Sequence, residues 1–452
     1  MEGVRVVLIS TYELGRQPFG LASPAAWLRA EGHEVTQVDV SRTSLPMPAV
    51  AGAGLIAFFL PMHTATRLFL RVVGRIRAAN PRAHLCAYGL YAPLNTEVLR
   101  HAGVETVIGG EFEQPLTDLA ARLSAGGVLT DRAAPGPAIV SLARQQFLAP
   151  DRAGLPPLAS YAQLTVAGGT HRVGYTEASR GCKHLCRHCP VVPVYNGAFR
   201  VVQPDVVLED IRRQVAMGAQ HITFGDPDFF NGPTHGMRIV EELHREWPSV
   251  SYDVTIKVEH LLQQRHLLPC LKATGCAFVT SAIESLDDAI LGRLAKGHTR
   301  ADFLQALQLM RDTELPLSPT FIPFTPWTTL EGYRDFLRAL AEWELVEQVA
   351  PIQLAIRLLI PAGSLLFDLP EVRSIIQPFD HTGLCYPWRG KEPAVDHLQT
   401  AIQGAIKKEE RRHNSRAAIF RTIWDLAHCG DFPDIPLAAR ATVPYLTEPW
   451  YC

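Results

Sequence analysis

No apolar run in this 452-residue chain reaches the ~20 residues that a membrane-spanning helix needs. An excess of charge of one sign is missing too. The 43 Lys and Arg against 45 Asp and Glu leave a net charge of −2, with nothing that argues for nucleic acid or a membrane surface as partner. The opening residues, Met1 to Ser10, lack a basic leader, a long apolar run and a cleavage pattern, so they do not read as a secretory signal. The expectation is a cytoplasmic protein. Nine cysteines in a chain of this length do not make a disulfide framework in that setting. The length suggests about three domains, each large enough to bury its own core.

What the chain does have is the stretch RGCKHLCRHCP from Arg180 to Pro190, which places Cys182, Cys186 and Cys189 in the spacing C-x3-C-x2-C. Three thiolates this close in sequence can converge on one face of an iron–sulfur cluster; without a fourth, one iron stays open. A structural zinc site completed by His184 or His188, or three unrelated cysteines, are the alternatives; structural zinc usually takes four ligands, often as two separated pairs. Val173 to Ser179 reads as a strand entering the loop. The spacing and this context resemble the radical S-adenosylmethionine (radical SAM) superfamily. The resemblance implies a [4Fe–4S] cluster whose open iron chelates SAM, and reductive cleavage of SAM to a 5′-deoxyadenosyl radical. His188 stands where that family usually carries an aromatic residue.

Residues 1–125 alternate strand and helix. Val4–Ile9, Glu34–Val40, Gly54–Leu60, His84–Gly89 and Glu105–Gly109 read as strands, and Gly54–Leu60 is apolar throughout, as in a sheet covered on both faces. The fold class is α/β, a doubly wound, flavodoxin-like parallel sheet whose ligand would sit at the carboxyl ends of its strands. Through Pro18–Ala22, Glu31–Val35 and Gly109–Glu113 the segment resembles the cobalamin-binding domain that precedes many radical SAM cores. The D-x-H-x-x-G cobalt-ligating motif is absent; His63, at a strand end, either approaches the ligand or caps the next helix. A domain that has lost cobalamin and serves as a lid or dimer surface is the alternative. Residues 126–171, rich in Pro, Gly and Ala, read as a linker.

Residues 172–375 carry six successive strand–helix units, the last strand at Pro351–Ile360, and suggest a partial (β/α)6 barrel with its site at the carboxyl ends of the strands. The resemblance assigns Gly225, Asp226 and Pro227 to the SAM amino group and Glu284 to the ribose hydroxyls. Arg293 is the candidate for the SAM carboxylate, with Lys257 its rival. Arg357 is a charge in an apolar run that must meet a ligand or a carboxylate. Aromatic residues at Tyr195, Phe229, Phe230 and Phe321–Trp327 either wall a dry pocket or pack the core.

Residues 376–452 read as a mainly helical and irregular cap. Cys385, Cys429 and Cys452 stand in irregular settings, as ligands to a substrate or second metal, or as scattered thiols. The stretch Leu446 to Cys452 resembles the approach to the Cys-Sec-Ala-Glu-Pro or Cys-Cys-Ala-Glu-Pro tail of one radical SAM group, which implies a selenocysteine codon after Cys452. The reading is therefore a radical SAM enzyme acting on a small molecule or peptide, with a flavodoxin or ferredoxin as electron donor. With cobalamin bound the implied reaction is methyl transfer; without it, a rearrangement or carbon–heteroatom bond formation. A non-catalytic metal-binding protein is the alternative outside that class.

Overall fold

A computed structural model describes residues 3–126, 136–434 and 444–448. Its first sheet contains β1 (Arg5–Ser10), β2 (Glu34–Asp39), β3 (Leu55–Phe59), β4 (His84–Tyr88), β5 (Thr106–Gly110) and β6 (Ile139–Ser141). All run parallel in the order β2-β1-β3-β4-β5-β6. Period-two alternation sends Val6 and Leu8 to one face and Val7 and Ile9 to the other. The first pair packs on helices Phe19–Ala30 and Glu113–Ser124 through Leu21, Leu28, Leu116 and Leu119. The second pair packs on helix His63–Ala79 through Phe69, Val73 and Ile76. Because both faces are covered, β3 is apolar from end to end.

The segment read as a linker is more ordered than its composition suggests. It supplies β6 and also β7 (Gln163–Val166), the first arm of a hairpin with β8 (Gly169–Thr176). A three-residue strand with exposed side chains leaves no periodicity to read, which is why Ile139–Ser141 is invisible in the sequence.

The second sheet adds β11 (His221–Phe224), β12 (Ser251–Thr255), β13 (Cys276–Glu284), β14 (Leu317–Phe321) and β15 (Tyr445–Leu446), in the order β14-β13-β12-β11-β8-β7-β15. β8 and β11 to β14 are parallel and helix-connected, forming an open, curled half-barrel. β7 and β15 extend the β8 edge antiparallel. Between β8 and β11, β9 (Ser179–Gly181) and β10 (Phe199–Val201) pair as a short antiparallel ribbon.

The expected sixth barrel strand is corrected. Pro351–Leu354 is a 3-10 turn, and the segment joins the sheet only at the Phe324–Arg357 bridge. Pro351 has no N–H for a ladder, and the Gln353 side chain, rather than backbone, accepts from the Phe321 N–H at 3.0 Å. Helices Pro393–Arg411 and Arg416–Leu426 put Ile402, Ile406, Phe420 and Ile423 into the same core as Phe336 and Leu340 of the barrel's last helix. They widen the barrel's helical layer.

Candidate active site

The cysteine loop hangs between β9 and β10, directly past the buried carboxyl end of β8. At its start Gly181 has φ +74°, and a Cβ there would lie 2.4 Å from the Tyr195 ring and 2.5 Å from the Ala198 carbonyl, so only glycine fits. The strand end is fastened from β11: the buried Asp226 carboxylate accepts from the Ala178 N–H at 2.9 Å and the Ser179 hydroxyl at 2.5 Å. Asp226 thus braces the strand end through one backbone N–H and one side-chain hydroxyl. Gly225 is required where it is, since a Cβ would come within 1.8 Å of the Tyr175 hydroxyl.

Burial pushes the Asp226 carboxyl up to about 7, outweighing the hydrogen bonds from Ser179 and Ala178. A folded pKa above the unfolded value means that folding favours the protonated acid. That contribution is full below about pH 4 and is lost as pH rises through about 7. Asp226→Asn is expected to flatten the decline of stability across that window. Urea unfolding of both forms at pH 5 and pH 8 checks it: an unchanged wild-type-to-variant difference would show that Asp226 does not titrate there.

Cys182, Cys186 and Cys189 are all free thiols. Burial pushes the Cys182 thiol up, and burial followed by the nearby Cys186 and Cys182 pushes Cys189 up to about 12. Thiols that disfavour one another's ionisation in a buried loop become ligands when a metal centre replaces their protons. Three unpaired sulfurs on one loop fit an iron–sulfur cluster. The loop is held on two sides. Asn231 accepts from the Lys183 N–H at 3.2 Å beside Cys182, and Arg187 donates to the Arg293 carbonyl at 2.9 Å with its own N–H on the Leu294 carbonyl.

Glu284 ends β13 at a register shift and takes φ +70°, so the bulge turns its side chain toward the loop. Its carboxylate lies 3.0 Å from His188 and 3.4 Å from Lys296. Burial alone would raise this acid; Lys296 and His188 outweigh it and hold it at about 2. Lys296 is 3% exposed. Burial disfavours its charge, but Glu284, then Cys186 and Cys189, outweigh that, so a fixed ammonium stands beside two of the thiols. Lys296 is the cation that sequence reasoning missed. Ala295, in the left-handed conformation at φ 54°, ends helix Asp288–Leu294 and turns the chain inward there.

Arg293, the candidate for the SAM carboxylate, has its guanidinium 35% exposed, 3.6 Å from Glu371 and stacked on Trp327. Arg357 meets a carboxylate, Asp396, at 2.6 Å and stacks on Trp388, within the fold's own packing. Lys257 pairs with Glu259 at 3.3 Å. Phe229 and Phe230 belong to the barrel core, not to a pocket wall. Cys385 and Cys429 belong to no group of three metal-ligand side chains among the described residues, and Cys452 lies outside them.

The two sheets meet at this loop. Arg180 is buried against Glu113 at 2.7 Å and Glu111 at 3.2 Å from the first domain, and against Glu177 at 2.7 Å. Met62, Tyr91 and Leu94 pack on Val191, Val194, Tyr195, Cys182 and Cys189, so the carboxyl ends of β3 and β4 lie on the cysteine loop. The His63 ring bonds the Gly383 carbonyl at 2.5 Å. Ser10 Oγ and Glu13 Oε2, at and beyond the end of β1, are buried without a hydrogen-bond partner. Orphaned polar atoms at this end fit the amide-bearing rim of a corrinoid.

Residues 176–340 match the family model described as the radical SAM superfamily. A cobalamin-dependent S-adenosylmethionine radical enzyme, OxsB, solved with aqua-cobalamin, has the same fold at TM-score 0.70 and 14% identity, over 90% of this chain and 67% of that one. The radical S-adenosylmethionine methyltransferase TsrM from Kitasatospora setae, with cobalamin and a [4Fe-4S] cluster, superposes at TM-score 0.60 and 17% identity, over 76% of this chain and 71% of that one. Among curated relatives, the hopanoid C-3 methylase of Methylococcus capsulatus is 25% identical over 167 residues, 37% of this chain and 31% of its own length. The anaerobic magnesium-protoporphyrin IX monomethyl ester cyclase of Rubrivivax gelatinosus is 23% identical over 276 residues, 55% of this chain and 46% of its own. The chain spans less than half the length of these curated relatives.

Proposed function

We propose that this chain, with its radical SAM domain, is an enzyme that cleaves S-adenosylmethionine reductively and, with a corrinoid held between its two sheets, transfers a methyl group to a small molecule or peptide. The observation that carries the reading is the set of three free cysteines, in the spacing C-x3-C-x2-C, on the one loop at the mouth of the half-barrel. Cys182, Cys186 and Cys189 would hold a [4Fe–4S] cluster. When bound, and reduced by a donor such as flavodoxin or ferredoxin, that cluster supplies the electron that splits SAM into methionine and a 5′-deoxyadenosyl radical.

The chain's own residues prepare this chemistry. Lys296 offsets the negative charge of a thiolate at Cys189 and so eases its deprotonation. Glu284 stays ionised and presents an acceptor suited to ribose hydroxyls. The turn at Gly225–Pro227 offers backbone carbonyls to an ammonium while the Asp226 side chain braces the strand end. The β1, β3 and β4 ends, with Ser10, Glu13 and Met62, would face the corrinoid. No helix among the described residues is long and apolar enough to cross a membrane.

The test is anaerobic. Protein from cells supplied with iron and cobalamin is mixed with SAM and a strong reductant, and 5′-deoxyadenosine is quantified. Its accumulation is the expected result, with a corrinoid band in the visible spectrum. A fully loaded cluster that yields none would overturn SAM cleavage, and a spectrum of iron–sulfur absorption alone would overturn the corrinoid part.

A further inference from the structure

We propose that His184, His260 and Asp228 form a second metal site beside the cysteine loop, for a first-row divalent ion, Fe(II) or Zn(II). The proposal rests on the reading above only in leaving Cys182 to the cluster. Three separate elements bring the ligands together. His184 comes from the cysteine loop, Asp228 from the turn after β11, and His260 from helix Val258–Gln263 after β12.

Asp228 Oδ2 lies 3.3 Å from His184 Nε2 and 2.7 Å from His260 Nδ1, and the two ring centroids are 4.7 Å apart. Asp228 is 1% exposed, yet none of these three buried atoms makes a hydrogen bond. Two donors each roughly 2.0–2.2 Å from one ion stand about 3 Å apart when they subtend a near-right angle, close to the two separations between Asp228 and the imidazoles.

The surroundings are arranged as they are behind a metal ligand. Asp228 Oδ1 accepts from the Phe230 N–H at 3.2 Å, which leaves Oδ2 for the imidazoles. His184 Nδ1 faces the Glu259 carboxylate at 3.6 Å, and Glu259 is held by Lys257 at 3.3 Å. A carboxylate behind a ligating imidazole fixes the tautomer and aims the other nitrogen at the ion. Two imidazoles and one carboxylate suit iron or zinc rather than magnesium or calcium, and leave positions open to water or an anionic group. Ligand atoms of Cys182, His184 and Asp228 lie within 4.8 Å of one another, so the ion would border the cluster at its Cys182 corner. It would tie the loop to the ends of β11 and β12.

Anaerobically purified, cluster-loaded protein is analysed for iron and zinc by mass spectrometry and for acid-labile sulfide by colorimetry. The expected result is about four sulfides and about five metal ions per chain. His260→Ala and the shape-keeping His260→Gln are each expected to lose one ion and keep all the sulfide. Equal metal and sulfide in the wild type, or an excess ion retained in both variants, overturns the proposal. Absent sulfide instead overturns the cluster reading; an ion that is then lost in His260→Gln still supports this site, and one that is retained overturns it.

Discussion

Cys186→Ala leaves a folded protein without acid-labile sulfide or cluster iron that forms no 5′-deoxyadenosine above the reagent blank. Three thiolates are the fewest that hold a cubane cluster with one iron open, and this loop has no spare. Cys182 and Cys189 alone would grip one side of the cluster, and the remaining iron sites would meet water. Cys186 is the most buried of the three, and its sulfur is a small group to lose, so the cost to apo-protein stability is about 1–2 kcal/mol. The measurement pairs iron and sulfide content with thermal unfolding of the metal-free forms. Cys429→Ser, at a half-buried thiol outside the loop, serves as control and keeps wild-type iron. Wild-type iron content in Cys186→Ala would overturn the assignment of the triad.

Arg180→Met is expected to destabilise the protein by about 3–5 kcal/mol near pH 8, because it strands Glu111, Glu113 and Glu177 around a vacated charge. The loss includes packing, since the guanidinium stacks on Phe112 and Phe147 as well. The sign with pH follows from the acids. Burial pushes Glu111 up to about 7 even with Arg180 present, whereas for Glu113 the Arg180 charge outweighs burial and holds the carboxyl low. Without the arginine, burial dominates at every one of them and their folded pKa values rise. Acids whose folded pKa exceeds the unfolded value lose stability as pH climbs through it. The variant is therefore hurt less at pH 5, where the acids hold protons, than at pH 8. Urea midpoints at the two pH values measure this, and Arg180→Met with Glu113→Gln recovers part of the loss. An equal deficit at both would show that packing, not charge, is what Arg180 supplies.

The sequence made some of this legible and hid the rest for identifiable reasons. Cysteine spacing survives reading because all three ligands lie in eight residues. The parallel sheets were readable because buried strands such as Leu55–Phe59 are apolar throughout, and the helices between them are amphipathic. Lys296 was not singled out beside Arg293 because the two differ by less than one helical turn. Which of them points inward is decided by a single left-handed residue, Ala295, that composition does not announce. Pro351–Ile360 has the apolar content of a strand, but its proline and a glutamine side chain acting as backbone substitute end the ladder early. Asp228 and His260 are 32 residues apart and come together only because β11 and β12 are neighbours. The Arg180 cage depends on docking between domains, which no local pattern encodes.

The cysteine loop has anchors far along the chain: Asp226 and Asn231 after it, then Glu284 on His188, then Ser364, whose hydroxyl donates to the Arg187 carbonyl at 3.3 Å. On a ribosome the last of these emerges 175 residues after Cys189, counting from position 189 to position 364. At roughly 5–20 residues per second that is on the order of ten to thirty-five seconds. Through that interval three thiols are already outside the exit tunnel with no finished wall around them. Oxygen and stray zinc have their best chance then, before any iron carrier meets a completed fold. Yield of loadable protein should thus depend on how the cells breathe during expression more than on how the lysate is handled afterwards.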